Sequence, residues 1–303
     1  MKRAVFAVLI AVVLAAGAFA QSSLFNRYDV NMNQWAKLPT GTTWSGETSW
    51  VAADGKGQVV VFVRKAPYFR VFDRDGQFLK AWGDENLLVE AHMMTFDRDG
   101  NIWAVDTNGH EVLKLDPNGK VLMILGKRGV AGDNSSHETF NRPATVFLAQ
   151  NGDIFVSDGY LNSRVVQFTN DGKFIRIIGG IKGSEPGQLK LPHGVVVDSK
   201  GRVIVSDSDN KRLSLFDKNG QFLETWAVPC RGGIEILPDD TIYVSDVNAG
   251  AVTIMKEGKI LDVIHVEGRP HGLGVDRRTL DVYTSSSVAM SPNVTKSSPK
   301  KTQ

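Results

Sequence analysis

The sequence predicts an all-β chain, a six-bladed β-propeller with four antiparallel strands in each blade. Two observations predict it. A strand–turn–strand unit recurs along the chain with a period of about 40 residues, as propeller blades do. The copies also fall into one phase when each is anchored on the residue that ends its second strand. The clearest copy, LKLPHGVVVDSKGRVIVSDSDNKRLSLFD, runs from Leu189 to Asp217. Its GVVVD and RVIVSD are short β-rich runs, and the DSKG between them is a hairpin turn opened by Asp and closed by Gly. RLSLFD, the turn DKNG and the run QFLETW complete four strands.

Fourteen places before each anchor lies the start of the first strand. Asp106, Asp158, Asp207 and Asp246 anchor four copies, Val63 anchors a degenerate first copy, and Ser285 anchors the last. The starting positions then read Ser49, His92, Ala144, His193, Gly232 and His271, a histidine on every second blade. In a closed ring of six, alternate blades lie about 120° apart and the first strand is nearest the axis. Three imidazoles therefore converge on the channel with threefold pseudo-symmetry. That is a ligand set for a tetrahedral zinc whose fourth position stays open to water or substrate. The competing reading makes Pro-His-Gly repeat consensus and the histidines polar lining of a wet channel. Against it, the chain has six histidines, and His110, His137 and His265 all fall outside this phase.

In chain order, MKRAVFAVLIAVVLAAGAFA has two basic residues, an apolar run and the small-x-small pattern Ala18-Phe19-Ala20 ahead of Gln21. This is the pattern of a cleavable signal peptide, favoured over an uncleaved anchor by the cleavage pattern and the lack of flanking charge beyond it. The expected organisation is a signal peptide over 1–20, the propeller over 21–290 and a disordered polar tail over 291–303. The expected location is secreted or periplasmic, with no membrane attachment after cleavage. Residues 22–39 carry Tyr28, Val30, Met32 and Trp35 and are expected to supply an outer strand to the last blade, closing the ring and removing its exposed edges. The tail SPNVTKSSPKKTQ is polar and basic and is expected to lie outside the fold.

The chain has 35 Lys and Arg against 33 Asp and Glu, and without Lys2 and Arg3 the two counts are equal at 33. A near-neutral domain argues against a nucleic-acid partner, which calls for a basic face. A single propeller domain, expected to be monomeric, accounts for the length. Cys230 is the single cysteine, so no internal disulfide forms, and it reads as a small buried residue rather than a reactive thiol. The turns DRDG at Asp73–Gly76 and Asp97–Gly100 resemble the opening of a calcium loop, but the distal Glu of such a loop does not follow. They read as hairpin turns.

Strands one and two of a blade are antiparallel, so residues just past the anchor share the propeller face of the histidines. Those residues are Arg64 on blade one and Tyr160 on blade three, two blades that contribute no histidine. Both side chains could reach the channel mouth through those gaps; the competing reading, which the residues alone favour, is a surface arginine and a turn tyrosine.

The run FNRPATVFLAQNGDIFVSDGYLNSRVVQFTNDGKF (Phe140–Phe174), followed by PGQLKLPHG, resembles the peptidyl-α-hydroxyglycine α-amidating lyases within the NHL-repeat propellers. The similarity runs from about blade one to blade six, and SDGYLNSRVVQF is its most specific segment. The resemblance implies zinc held by His92, His193 and His271, a catalytic tyrosine at Tyr160 in the DGY-x-NSR motif, and an active-site arginine at Arg64. It implies cleavage of a peptide ending in α-hydroxyglycine, a carbinolamide, to an amide and glyoxylate. Arg64 pairs with the terminal carboxylate, Tyr160 takes the hydroxyl proton, and zinc lowers the pKa of that hydroxyl. The chain departs from the family in three places. Glu90-Ala91 precede His92 where Leu-Pro is usual, Arg269 replaces a methionine near the substrate, and Gly272 replaces an aspartate that helps to bind a structural calcium. Calcium is therefore not expected, and Arg269 becomes a second candidate contact for the substrate anion. Two other classes compete. One is a non-catalytic NHL-repeat propeller that binds a protein or peptide on one face. The other is a calcium-dependent lactonase-like hydrolase, which needs carboxylates on the axis where this chain offers Ser, His, Ala, His, Gly and His.

Overall fold

The computed structural model describes residues 27–31, 35–44, 47–286 and 294–301. The signal peptide expected over 1–20 lies outside the described residues. The strands in chain order begin with β1 (Tyr28–Asn31), followed by blade one, β2 (Thr48–Ala53), β3 (Gln58–Val63), β4 (Phe69–Asp73) and β5 (Phe78–Trp82). Blade two is β6 (Ala91–Phe96), β7 (Ile102–Asp106), β8 (Glu111–Leu115) and β9 (Val121–Gly126). Blade three is β10 (Thr145–Leu148), β11 (Ile154–Asp158), β12 (Arg164–Phe168) and β13 (Phe174–Gly179). Blade four is β14 (Pro192–Val197), β15 (Val203–Asp207), β16 (Arg212–Phe216) and β17 (Phe222–Ala227). Blade five is β18 (Ile234–Ile236), β19 (Ile242–Asp246), β20 (Ala251–Lys256) and β21 (Lys259–His265). Blade six contains β22 (Pro270–Val275), β23 (Val282–Ser286) and β24 (Val294–Pro299). Each of the six sheets has four antiparallel strands, and β1 is the fourth strand of blade six. Among the described residues no helix is long and apolar enough to cross a membrane.

The turns form for the reason their sequence gives. Asp73 Oδ1 accepts from the amides of Asp75 and Gln77 at 2.9 and 2.8 Å, and Gly76 closes the turn at a φ of 81° that side chains disfavour. Asp97, Asp116 and Asp217 hold their turns in the same way. Between blades the core is apolar: Trp50, Phe62, Phe69, Met94, Trp103 and Val156 form one continuous cluster across blades one to three. That packing fixes the inner strands about the channel. Cys230 is buried in the core of blades four and five, where burial pushes its thiol up to about 12.

The ring closes as expected at its outer edge, where β1 pairs antiparallel with β24, Tyr28 opposite Pro299. The tail, however, is not outside the fold. Val294–Pro299 form β24, inserted between β23 and β1, so the propeller continues past residue 290. Polarity misled because this strand is held largely by backbone ladders on both sides. Val294, Thr295 and Ser297 are buried, and Lys296 Nζ lies 3.1 Å from Asp281 Oδ2. The last anchor also shifts by one. Pro270 pairs with Ser286, just as Pro192 pairs with Asp207, because the turn after β22 is one residue longer than the turn after β14.

Candidate metal centre

The inner strands of four blades begin with a β-bulge. Register shifts between Thr48 and Trp50, Ala91 and Met93, Pro192 and Gly194, and Pro270 and Gly272 leave Ser49, His92, His193 and His271 unpaired. A bulge re-aims the extra side chain, and here it turns three imidazoles toward the axis. Their ring centroids are 4.9, 5.1 and 5.2 Å apart, and one nitrogen from each lies within 4.8 Å of the others. All three histidines are buried. Among the described residues this is the one cluster of three or more side chains with metal-binding potential.

The blades between supply the orientation. His92 Nδ1 lies 2.7 Å from the carbonyl of Ala144, His193 Nδ1 2.9 Å from that of Gly232, and His271 Nδ1 3.1 Å from that of Ser49. A carbonyl only accepts, so each Nδ1 carries the proton and each Nε2 keeps its lone pair. Burial lowers all three pKa values: His92 well below its ordinary value, His193 to about 4 and His271 to about 3. Repulsion from neighbouring imidazoles adds to this at His92 and His271, and the charge of Arg64 adds to it at all three. Three neutral imidazoles with inward lone pairs, each held by a backbone carbonyl, are a donor set that can hold a metal ion.

Tyr160 joins them. Its hydroxyl is 2.8 Å from His92 Nε2 and 3.2 Å from His193 Nε2. The preceding glycine makes this approach possible, because a Cβ on Gly159 would lie 1.9 Å from the carbonyl oxygen of Pro192. The rest of the motif braces the loop. Fully buried Arg164 donates from Nε to Asp158 Oδ2 at 2.9 Å and from Nη2 to the Thr139 carbonyl at 2.6 Å, and Asn162 Nδ2 donates to the same carboxylate. Burial raises the Tyr160 phenol to about 12, against the charges of Arg64, Arg142 and Arg231.

Arg64 reaches the mouth already engaged, its Nη1 2.6 Å from Glu90 Oε1 and its Nε 3.4 Å from Glu47 Oε2. Arg269 sits exposed on the rim, 3.5 Å from Asn248 Oδ1. The second cation whose charge reaches His193, His271 and Tyr160 is Arg231, which pairs with Asp209 at 2.7 Å. Arg142 lies over the Tyr160 ring at 5.6 Å, with Glu90 3.7 Å from its guanidinium. Sequence reasoning missed Arg231, Arg142 and the role of Glu90. It also used the anchor aspartates only as phase marks. Asp106, Asp158, Asp207 and Asp246 accept from the amides of Glu90, Asn141, Lys190 and Arg231, tying the approach to each inner strand to the end of the second strand. The other histidines serve elsewhere: His110 Nδ1 accepts from the Arg142 amide, His137 stacks on Phe174, and His265 ends β21.

At Gly272 the residues present do not fit a calcium ligand. A Cβ there would meet Ser285 Oγ at 2.3 Å and Trp50 Cα at 2.5 Å, so no carboxylate can stand at that position without moving backbone.

A six-bladed propeller with three buried, neutral, convergent imidazoles defines a propeller protein with a candidate metal centre on its axis. The NHL-repeat pattern matches residues 189–216. NHL repeat-containing protein 3 of Homo sapiens is 30% identical over 280 residues, covering 83% of this chain and 79% of that protein. A probable peptidyl-alpha-hydroxyglycine alpha-amidating lyase of Caenorhabditis elegans is 32% identical over 149 residues, 48% of this chain and 42% of that one. The solved structure of a streptogramin B lyase shares the fold, with a TM-score of 0.61 at 14% identity over 90% of this chain and 98% of that one. The chain belongs to the NHL-repeat propeller family that includes NHL repeat-containing protein 3 and the peptidyl-α-hydroxyglycine α-amidating lyases.

Proposed function

We propose that this chain is a zinc-dependent lyase that cleaves a carbinolamide, a peptide or small amide ending in α-hydroxyglycine, to an amide and glyoxylate. The observation that carries the reading is the Tyr160 hydroxyl, poised between Nε2 of His92 and Nε2 of His193 at the centre of the convergent imidazoles. Relatives named as lyases support it.

His92, His193 and His271 would hold the metal through Nε2. Bound zinc would supply Lewis acidity that makes the substrate hydroxyl easier to deprotonate. When those Nε2 lone pairs are engaged, the Tyr160 hydroxyl loses its imidazole acceptors and turns to the substrate. Tyr160 takes the hydroxyl proton, the C–N bond breaks as the carbonyl of glyoxylate forms, and a proton passes from the Tyr160 hydroxyl to the departing amide nitrogen. Arg64, Arg142 and Arg231 oppose the rise in the Tyr160 pKa, which is what a base at this position requires. Arg64 commits two of a guanidinium's five N–H donors to Glu90 and Glu47, so the others remain for the substrate carboxylate. In this reading the chain is exported and acts as a monomer.

The test is glyoxylate release from a short peptide with C-terminal α-hydroxyglycine, compared with its spontaneous breakdown. Tyr160→Phe should keep zinc bound and slow turnover by about 10²–10⁴-fold. A zinc-loaded protein that releases no glyoxylate above background would leave the non-catalytic binding propeller as the better reading.

A further inference from the structure

At the opposite end of the inner strands from the histidines, the channel opens into a cavity of about 500 Å³, within the usual range for small-molecule sites. Trp50 separates the two ends. Its ring lies 6.2 Å from that of His92 and 6.0 Å from that of His271, and it also lines the cavity. Two polar atoms at the cavity's inner end have no hydrogen-bond partner, the Nε1 of Trp50 and the Oγ1 of Thr145, on residues 1% and 3% exposed. Buried donors of this kind are normally satisfied. Apolar walls come from Met93, Val146, Leu148, Val195 and Ile236.

Glu235 is the exception in that wall. At its register the other five inner strands carry Ala52, Thr95, Phe147, Val196 and Gly274, none of them charged. Its carboxyl makes no hydrogen bond or ion pair with the described residues; burial pushes it up to about 7, and the charge of Arg277 opposes that. Arg277 stands exposed at the cavity mouth. The other charged groups facing the cavity are accounted for. Lys114 holds Asp97 at 3.0 Å, Ser199 holds Asp240, Asp54 caps its own turn, and Arg98 and Asp99 are exposed on a solvated turn. A half-buried carboxylate and an exposed guanidinium that share a cavity without pairing to each other complement a ligand carrying both charges. A hard metal ion is a poor match, since it needs six or more oxygen ligands, and of the other carboxylates lining the cavity Asp54, Asp97 and Asp240 are already engaged and Asp99 lies on the solvated turn.

We propose that this cavity is a second binding site, separate from the histidine centre, for a small zwitterion. Its ammonium pairs with Glu235, its anionic end meets Arg277, and its carbon chain lies along the apolar wall. The inference does not depend on the reaction at the histidines.

Calorimetric titration with 4-aminobutanoate, 6-aminohexanoate, hexylamine and hexanoate tests it. At least one amino acid should bind saturably and about tenfold or more tighter than hexylamine or hexanoate. Glu235→Gln and Arg277→Met should each weaken that binding by a similar factor while zinc content stays at the parental value and melting remains cooperative. Absence of saturable binding by both amino acids would overturn the proposal. So would undiminished binding to the Glu235→Gln protein, or hexylamine binding as tightly as the amino acids.

Discussion

Removing one imidazole at a time tests the metal centre most directly. Zinc-finger sites with four protein ligands gain about 10–16 kcal/mol on binding, or roughly 2.5–4 kcal/mol per ligand. At 1.4 kcal/mol per tenfold, losing one of three ligands weakens zinc by about 10²–10³-fold. The structure gives no reason for the three to differ much, because each has the same protonated Nδ1, the same kind of carbonyl partner and the same burial. Metal content and chelator competition on His92→Ala, His193→Ala and His271→Ala should therefore show three similar losses from about one zinc per chain. His110→Ala, His137→Ala and His265→Ala should bind like the parent. Parental zinc affinity in the His193→Ala protein, or loss of zinc in the His137→Ala protein, would refute the assignment of ligands.

Other outcomes follow from contacts elsewhere. A stop after residue 293 removes β24 and with it four paired positions against β23 and four against β1. At about 0.5–1.5 kcal/mol per net hydrogen bond, this takes several kcal/mol from a fold of ordinary stability, so cooperative melting should be lost. Gly159→Ala must shift the loop away from the Pro192 carbonyl; turnover should fall with zinc content unchanged, as steady-state kinetics and metal analysis on the same sample will show. Ala144→Val crowds the carbonyl that holds His92 and should weaken zinc by about 10–100-fold in chelator competition, whereas Ala144→Ser should not. Glu235 has its folded pKa raised from 4.5 to about 7, so the folded chain retains a proton that the unfolded chain has lost. The stability from that proton is fully present below 4.5 and is lost as pH rises to about 7, amounting to about 1–3 kcal/mol. Urea denaturation of metal-free protein should show a decline between these limits that Glu235→Gln removes.

The fold was legible because its signal is repeated. Hairpin turns such as DRDG and DSKG fix the strand spacing locally, and the phase of one blade predicts the next. The histidines were legible for the same reason, since a side chain that recurs on alternate blades stands out against repeat consensus. What stayed hidden has no side-chain signature. The carbonyls of Ser49, Ala144 and Gly232 orient the ligands, and a backbone acceptor leaves no mark in sequence. The tail looked solvated because Thr295, Ser297 and Ser298 are polar, yet a strand between two ladders needs little apolar surface. Arg231 was within reach of the phase argument, because it directly precedes the Gly232 start position. Glu235 was also visible, as a charge in an inner strand at a register where the other blades have none.

The alternation of histidine and small residues has a steric cause. Each ligand ring spans the gap to the next blade and reaches the carbonyl at the equivalent position there, so that position must leave room for an imidazole. Ser49, Ala144 and Gly232 do. Gly232 has the least space, since a Cβ would meet Ser245 Oγ at 2.3 Å and the Pro270 carbonyl at 2.9 Å. Six histidines in this layer would lose the acceptors that fix their tautomers and would bury further mutually repelling groups, while one or two would leave a metal underligated. Three ligands and three small acceptors are the arrangement a six-bladed ring can orient from within one layer. The same geometry leaves an open sector above blade three, and Tyr160 enters through it because the start of that strand carries Ala144 and no imidazole.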